Sequence, residues 1–358
     1  MYLNVIPSSN CSLHNIRVPD KLRKNLNLDF GDWLIFETSI GNFAVTIVDT
    51  LFEDVLQYGS DVVFISPDSP VLYKGGTGEV FIDRHQITLG ADPEFFILNK
   101  SNRKIIEANK LFSYESQIGS DGDLGEIRPD YTLSPEQLVE NIRNLIRTLS
   151  QKLPRYTEPL ATSWYANRCC GFHVHIGIPI ELLSYAAEKT DTFLKCLVTA
   201  LDYFVGIPAA SLDPCDTRRL SREYGRPGDY KLSMRTLEYR TPGGFHLKVP
   251  KYTYSLLSTS FSVVEKIISD AEEASGNWED MKEVAVYSYF RNKYDIPEQQ
   301  YINNILINTN RQMLEQESKI VHRKLQEIML VQENSVITHR QKKEGSLYRE
   351  WLENEAQY

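Results

Sequence analysis

The chain has 358 residues, of which 42% are hydrophobic and 24% charged, with a formal net charge of −9. This length allows one large domain or two to three smaller ones, and the composition is that of an ordinary globular protein. The acidic balance argues against non-specific binding to nucleic acid or to anionic membranes, so we expect neither partner.

Cysteine usage and the N-terminus indicate a reduced, cytoplasmic protein. The five cysteines are odd in number and form no C-x-x-C pair, and MYLNVIPSSN lacks a basic segment followed by an apolar run. The most apolar stretch, FLKCLVTALDYFVGIPAASL, contains Lys195 and Asp202. It therefore predicts a buried helix rather than a membrane span.

Residues 1–85 are predicted to form a small β-rich accessory domain. Turn sequences such as FGDW, SPDSP and KGGTGE separate short β-type runs at 33–37, 43–48, 61–65, 71–73 and 80–82. The stretch VPDKLRKNLNLDFGDW resembles the opening of small double-psi barrels, which implies a β-barrel-like fold. The glycines of KGGTGE lack the Gly-Lys-Ser/Thr ending of a P-loop and favour a hairpin turn.

From residue 86 onwards, strands alternate with longer helices. In SPEQLVENIRNLIRTLSQ, Ser134 can cap a helix, Pro135 suits its first turn, and Gln137 occupies the capping-box position. One face of this helix would carry Leu138, Ile142, Leu145 and Leu149. Further helices are predicted around 182–204 and 253–270. We expect a second domain over 86–275 and a helical region over 276–358 that packs on it.

Four short β-type segments carry charged or metal-binding side chains at positions i and i+2, with apolar residues between. These doublets are Asp92/Glu94 in GADPEFFIL, Glu126/Arg128 in LGEIRP, His173/His175 in GFHVHIGIP and Glu238/Arg240 in LEYRTP. A single doublet is typical of a solvated strand face. Four of them on one sheet would gather on a common polar surface.

The residue types on that surface indicate metal and phosphate chemistry. Four neighbouring carboxylates cannot all stay ionised without cations between them. Carboxylates combined with imidazoles suit Mg²⁺ or Mn²⁺, and two such ions would balance the four charges. The arginines would remain available to hold anions.

A basic segment precedes the last doublet. DTRRLSREYGRPGDYKLSMRT contains three acidic residues and six basic ones, namely Arg218, Arg219, Arg222, Arg226, Lys231 and Arg235. Its glycines and proline predict a flexible loop that closes over a polyphosphate. A solvated loop with surface ion pairs is the alternative.

Taken in order, these motifs resemble a known enzyme family. GADPEFFIL is similar to the metal-ligand strand of glutamine synthetase, GFHVHIG to its H-x-H strand and LEYRTP to its terminal E-x-R strand. Together with GSDGDLGEIRP and YGRPGDY, they resemble the phage-type carboxylate–amine ligases, or amidoligases, of the glutamine synthetase/glutamate–cysteine ligase superfamily over roughly residues 87–270. The resemblance implies an α+β fold, with an antiparallel sheet forming an open funnel and helices on its outer face.

The resemblance also implies a cofactor set and a role for each residue. ATP and two or three Mg²⁺ (or Mn²⁺) ions would lie in the funnel. The metal nearer the ATP phosphates would be held by Asp92, His173 and Glu238, and the metal nearer the substrate by Glu94 and Glu126. Asp121 is a candidate third carboxylate at the substrate-side metal, although a turn residue is an equally good interpretation.

The remaining predicted site residues would contact phosphates or substrate. By the same resemblance, His175 would lie beside the nucleotide phosphates, and Arg240 would face the γ-phosphate or the substrate carboxylate. Arg128 and the loop residues Arg222, Arg226 and Arg235 would be further phosphate or carboxylate ligands. The implied reaction joins a carboxylate to an amine through an acyl phosphate made from ATP. Assembly into a homo-oligomer stays open.

Three other interpretations remain. A metal-dependent hydrolase also uses H-x-H, but only His246, His322 and His339 follow the motif here, and none lies in a suitable strand. A guanidino phosphotransferase would share the fold and form no amide. A non-catalytic nucleotide-binding recruitment protein would be expected to have lost at least one ligand residue, whereas all are present.

Overall fold

The computed structural model describes residues 4–7, 11, 15–25, 33–38, 41–48, 62–66, 80–81, 87–114, 116–178, 187–221, 225–233, 236–274, 289, 291–328 and 346–353. Its two large sheets are formed by separate parts of the chain, one before and one after residue 87.

The N-terminal sheet has six strands in the spatial order β1-β5-β2-β4-β3-β6. They are β1 Asn4–Pro7, β2 Asn15–Arg17, β3 Trp33–Thr38, β4 Gly41–Val48, β5 Val62–Ile65 and β6 Val80–Phe81, with helix α1 Asp20–Asn25 after β2. The β1/β5 and β2/β4 pairs are parallel. Four of the five predicted β runs coincide with strands, and the run at 71–73 lies outside the described residues. Among the described strands β1 and β6 end the order, so closure into a barrel stays a prediction.

The second sheet is antiparallel throughout, as predicted, and carries seven strands. They are β7 Thr88–Asn99, β8 Ile118–Asp121, β9 Leu124–Ile127, β10 Thr157–Leu160, β13 Phe172–Gly177, β14 Tyr230–Ser233 and β15 Thr236–Tyr239. Their order is β14-β15-β13-β7-β9-β8, and β10 pairs with the far end of β7. A small hairpin of β11 Trp164–Tyr165 and β12 Arg168–Cys169 precedes β13.

Helices cover one face of this sheet. Helix α2 Pro135–Lys152 begins at Ser134, whose hydroxyl accepts a hydrogen bond from the Gln137 amide at 3.3 Å, so the predicted cap is confirmed. Its apolar face packs against β7 and β9. Helix α6 Pro250–Ala274 packs against α2 and β13. Burial of these apolar stripes against the sheet provides the main core.

The apolar stretch predicted as a buried helix forms consecutive helical segments. Helix α3 Ala187–Leu201 continues through a π-helical segment, Asp202–Gly206, into α4 Ile207–Leu212. Within the described residues, one helix, Thr192–Leu212, is long and apolar enough to cross a membrane. Of its most apolar window, 89% is buried within the protein. This position fits the predicted core helix.

The C-terminal helices share the core of the large sheet. Helix α7 Gln299–Asn308 and helix α8 Arg311–Ile328 contribute buried side chains to it, as does Trp351. The Trp351 indole donates a hydrogen bond to the Leu247 carbonyl at 2.7 Å. The described C-terminal helices thus pack on the preceding elements.

The basic segment is more ordered than predicted. Within its described part, residues Asp216–Ser221 form helix α5, and β14 forms an edge strand paired with β15. The flexible-loop prediction is therefore wrong for these residues. In the sequence, the glycines and proline close to YKLS favoured a loop over a strand. In the structure, pairing with β15 provides hydrogen bonds for the backbone of this segment.

Candidate metal and nucleotide site

The four predicted doublets lie on adjacent strands, in the order β15, β13, β7 and β9. Three cross-strand pairs fix their relation: His175 stands opposite Glu238, His173 opposite Asp92, and Glu94 opposite Glu126. Directly opposed residues of an antiparallel pair point to the same face of the sheet. The register therefore brings the doublet side chains onto one face.

The residues between the doublets explain why these strands form. Phe172, Val174 and Ile176 alternate with the two histidines and are fully buried in the main core. Leu237 and Tyr239 alternate with Glu238 in the same way. Each strand thus buries its apolar face against the helices and leaves its charged face for the site.

A compact trio occupies the centre of this face. Within the described part of the chain, ligand atoms of Asp92, His175 and Glu238 all lie within 4.8 Å of one another, close enough to share a metal ion. The Nε2 atom of His175 lies 3.2 Å from Oδ2 of Asp92. Arg240 Nε donates to Glu238 Oε1 at 2.7 Å, which steadies that carboxylate.

His173 lies beside the same carboxylates but is more deeply buried than His175. Its Nδ1 lies 3.1 Å from Asp92 Oδ1 and 3.6 Å from Glu238 Oε1, and the ring is buried. The compact trio nevertheless contains His175, the residue expected beside the phosphates. The structure thus puts both imidazoles next to the same carboxylates.

Two atoms of the trio are buried without a hydrogen bond. Oδ1 of Asp92 and Nε2 of His175 have no donor or acceptor in hydrogen-bonding geometry among the described residues, although charged neighbours approach closely. Buried polar atoms are nearly always satisfied, by a protein group, water or an ion. An oxygen atom and a nitrogen atom without hydrogen bonds are suitable ligands for a divalent cation such as Mg²⁺ or Mn²⁺.

The charged groups of the trio shift one another's pKa values. Burial alone would raise the pKa of Asp92, but the neighbouring imidazoles of His175 and His173 lower it well below its usual range. Burial lowers the pKa of His175, yet the Asp92 and Glu238 carboxylates outweigh this and raise it. The site therefore favours positive charge between its carboxylates, as a cation would supply.

A second pair of carboxylates lies one row further along the face. Glu94 and Glu126 are only 2% and 5% exposed although they stand opposite each other. Glu94 accepts a hydrogen bond from the Gly171 amide at 2.5 Å. Burial raises the pKa of Glu94, and the charges of Asp121 and Asp92 add to this effect. Asp121 lies in β8, beyond Glu126 on the same face.

Arg128 is engaged with the protein itself. Its guanidinium forms an ion pair with Glu126 and donates to the carbonyls of Tyr114 at 2.7 Å and Ser116 at 3.0 Å. A Cβ at Gly119 would fall 2.0 Å from this guanidinium, so only glycine leaves room for it. In this arrangement Arg128 holds Glu126 and the segment around residue 116 in place.

A cavity of about 330 Å³ opens beside the trio. Asp92, His175 and Arg128 form one side of it, and its remaining lining includes Thr88, Gly90, Tyr131, Gly177 and Thr236. Two glycines and three hydroxyl groups are thus among the groups that line it. Sequence analysis missed these residues, although extending the same alternation from Asp92 to Gly90 and Thr88 would have found two of them.

The basic residues of the preceding segment divide into three groups. Arg226 is exposed in the turn before β14. Arg218 and Arg219 instead point inward, where Arg218 donates to the carbonyls of Thr241 and Arg240, and Arg219 to those of Leu306 and Thr309. The predicted ligands Arg222 and Arg235 lie outside the described residues.

Comparison with known proteins supplies a family. Residues 89–342 match the family described as phage phiEco32-like COOH.NH2 ligase-type 2. No curated protein matches the sequence.

Two solved structures resemble the chain weakly. One is a bifunctional glutathione synthetase from Pasteurella multocida, with 9% identity and a TM-score of 0.37 over 67% of this chain and 52% of that one. The chain thus spans about half of that protein. The other, described as "Apo GmaS without ligand", has 10% identity and a TM-score of 0.36 over 77% of this chain and 80% of that one. At these TM-scores the likeness adds no support to a function.

Proposed function

This chain belongs to the phage phiEco32-like COOH.NH2 ligase-type 2 family, and we propose that it joins a carboxylate to an amine at the expense of ATP, through an acyl phosphate, with Mg²⁺ or Mn²⁺ as cofactor. As a member of that family it is a carboxylate–amine ligase. The single observation that carries the finer proposal is the gathering of Asp92, His175 and Glu238 around one point at the edge of a cavity.

The proximity of the ligand atoms supports an assignment of metal ligands. We assign Asp92, Glu238 and His175 to the first ion, with His173 close enough to support the same carboxylates. Glu94 and Glu126, with Asp121, would hold the second ion. When bound, the ions would neutralise phosphate charge and polarise the transferring phosphoryl group.

The cavity suits the nucleotide. Its lining includes Gly90 and Gly177, which carry no side chains, and the aromatic ring of Tyr131. The triphosphate would then point towards the trio and Arg240. We assign Arg226, in the exposed turn before β14, as an additional phosphate ligand, and Arg222 and Arg235 by the resemblance.

The reaction needs no protein nucleophile. A carboxylate oxygen of the substrate attacks the γ-phosphorus of ATP, and the bond from that phosphorus to the ADP oxygen breaks. The amine nitrogen then attacks the acyl carbon and loses a proton, and inorganic phosphate leaves. The protein's part is positioning and charge stabilisation, which fits a site made of arginines, imidazoles and carboxylates. The buried thiol of Cys170, whose pKa burial raises well above the usual value, has no part in this chemistry.

The wider organisation remains part of the proposal. We assign residues 1–85 to a β-barrel-like accessory domain, 86–275 to the funnel-shaped catalytic domain and 276–358 to a helical region packed on it. We also propose a cytoplasmic protein that binds neither nucleic acid nor membranes.

The test is release of ADP and phosphate from ATP in the presence of Mg²⁺. Pools of carboxylates and amines are supplied separately and together, and the products are analysed by mass spectrometry. We expect product release only when both pools are present, with an adduct whose mass equals acid plus amine minus water. Phosphorylation of an amine without added acid would instead identify a guanidino phosphotransferase. Binding of nucleotide with no product under any condition would favour a recruitment protein.

A further inference from the structure

A buried carboxylate lies directly behind the proposed site. Asp202 begins the π-helical segment between α3 and α4, and its side chain has no exposure to solvent. Its Oδ1 accepts hydrogen bonds from Tyr239 Oη at 3.0 Å and from Thr241 Oγ1 at 2.8 Å. Its Oδ2 accepts from the Gly228 amide and from Gln299 Nε2, the latter at 2.8 Å. One carboxylate therefore accepts hydrogen bonds from three separate segments of the chain.

The first oxygen holds the strand that carries Glu238 and Arg240. Tyr239, the last residue of β15, and Thr241, two residues further on, flank Arg240, and both are buried. Because side chains alternate along a strand, fixing these two residues also fixes the direction of Glu238 and Arg240 on the front. The helix is shaped for this contact, since a Cβ at Gly206 would lie 2.8 Å from the Tyr239 hydroxyl.

The second oxygen holds the turn that leads into β14. The Asp229 amide donates to the Arg226 carbonyl at 2.9 Å and closes this turn, and Gly228 adopts a φ of 82° that favours glycine. Beyond the turn, β14 pairs with β15 so that Lys231 stands opposite Glu238. The Gly228 contact therefore fixes the position of Arg226 and of the strand beside Glu238.

The carboxylate is maintained at an energetic cost. Burial raises the pKa of Asp202 to about 6, although hydrogen bonds from its four donors, all of them neutral, act in the opposite direction. A well-packed apolar group would avoid this cost. What the carboxylate adds is a fixed arrangement of four donors from distant segments. The π-helical geometry agrees with this, because such segments occur frequently at functional sites.

We propose that Asp202 is a positioning residue of the ligase site, which holds Glu238, Arg240 and the turn at residues 225–229 in register from behind the sheet. This inference rests on the proposed function. It assigns Asp202 no contact with substrate or metal.

The test is Asp202→Asn. The substitution keeps one oxygen for Tyr239 and Thr241 but places an amino group against the Gly228 and Gln299 donors. The matched control is Asp270→Asn on α6, where a buried carboxylate likewise accepts from a tyrosine, Tyr294, and in addition pairs with Lys266 and Lys293. Folding is checked by circular dichroism, binding of the ATP analogue AMPPNP with Mg²⁺ by calorimetry, and the metal environment by the electron paramagnetic resonance spectrum of bound Mn²⁺.

We expect folded Asp202→Asn to bind Mg-AMPPNP about tenfold more weakly, since hydrogen bonds to a charged group are lost, and to give an altered Mn²⁺ spectrum. Asp270→Asn should match the unaltered protein in both measurements. Unchanged affinity and spectrum in folded Asp202→Asn would overturn the inference, and so would equal losses in the two variants. Failure of the unaltered protein to bind Mg-AMPPNP would instead overturn the proposed function, and the inference with it.

Should Asp202→Asn not fold, Thr241→Val provides the same test with the loss of a single donor. The valine keeps the shape of threonine and removes its bond to Asp202. We expect an affinity about threefold weaker, with the spectrum shifted in the same direction. Unchanged binding by folded Thr241→Val would then overturn the inference.

Discussion

His175 on β13 stands directly opposite Glu238 on β15, and the two side chains meet Asp92 of the neighbouring strand within 4.8 Å. Three segments separated by more than sixty residues each thus contribute one ligand atom to a single point. Such convergence follows from the strand order β15-β13-β7 and from nothing local in the chain.

Glu238→Gln should remove ATP turnover with little change in fold. Glutamine has nearly the same size but no charge, so the trio would lose a ligand that a divalent ion requires. We expect a loss of at least about 100-fold in Mg²⁺-dependent nucleotide binding or turnover. The control is Glu265→Gln, an exposed residue of α6. Retention of activity by folded Glu238→Gln would remove the metal-site assignment.

The two histidines can be separated by metal binding. His175 belongs to the compact trio, whereas His173 contacts the same carboxylates from a deeper position. We therefore expect His175→Ala to weaken Mn²⁺ binding more than His173→Ala, as measured by titration with the ion's electron paramagnetic resonance signal. The opposite order would favour the assignment implied by resemblance to glutamine synthetase, in which His173 is the ligand.

Gly125→Ala should destabilise the large sheet. Gly125 faces Phe95 across the β7/β9 pair, and a Cβ there would lie 2.4 Å from Phe95 Cζ. Because Phe95 is fully buried, it can yield only by disturbing the core, so we expect a loss of about 1–3 kcal/mol in the free energy of unfolding. Urea denaturation measures this. Gly122→Asn is the control. No atom lies within 4 Å of the position that a Cβ would take at Gly122, and asparagine tolerates the φ of 56° found there. Equal stability of Gly125→Ala and the unaltered protein would contradict the packing described for Phe95.

Asp202 should make folding stability depend on pH. Burial raises its pKa in the folded protein from 3.8 to about 6, so the folded state binds the proton more tightly than the unfolded state does. The stabilisation from this proton is complete below pH 4 and is lost as the pH rises through 6, by about 3 kcal/mol in total. Urea denaturation of the unaltered protein and of Asp202→Asn between pH 4 and 7 tests this. We expect the difference in unfolding free energy between them to shift in favour of the asparagine variant as the pH rises. A difference independent of pH would contradict it.

Residues 86–358 should fold without the N-terminal part. The strands of the N-terminal sheet end at residue 81, and the large sheet begins at Thr88 with its own core. We expect the fragment to show a cooperative thermal transition and to bind nucleotide in Mg²⁺ as the full chain does. An insoluble fragment would show that the boundary at residue 85 cuts through a folding unit.

The alternation of side chains was sufficient to predict the charged face. His173 and His175 with buried neighbours, and Glu238 and Arg240 with Leu237 and Tyr239, have a period of two that only a strand can use. The helix cap at Ser134 was likewise predicted from neighbouring residues in the sequence alone. Predicting that the four doublets meet required only that they belong to one sheet, which the order of motifs indicated.

The remaining features depend on contacts that no local pattern contains. The period of two places both histidines on the same face of the strand and does not distinguish them. Which of them joins the compact trio depends on how deeply each side chain is buried. Asp202 looks like a charged interruption in an apolar helix, and its partners Gly228, Thr241 and Gln299 are brought to it only by the fold. Arg218 and Arg219 carry the charge expected of phosphate ligands, yet backbone carbonyls bind them.

The placement of β7 in the middle of the large sheet has a consequence for biosynthesis. This strand appears early in the chain, but one of its neighbours, β13, ends at Gly177, and the row is completed only by β15, which ends at Tyr239. A nascent polypeptide can pair one edge of β7 with β9 soon after β7 is made, whereas the other edge stays unpaired until β13 has left the ribosome. Ribosome-bound chains stalled before residue 172 should therefore leave one edge of β7 accessible to chaperones, and the row of strands that carries the proposed metal ligands should be complete only once β15 has been made.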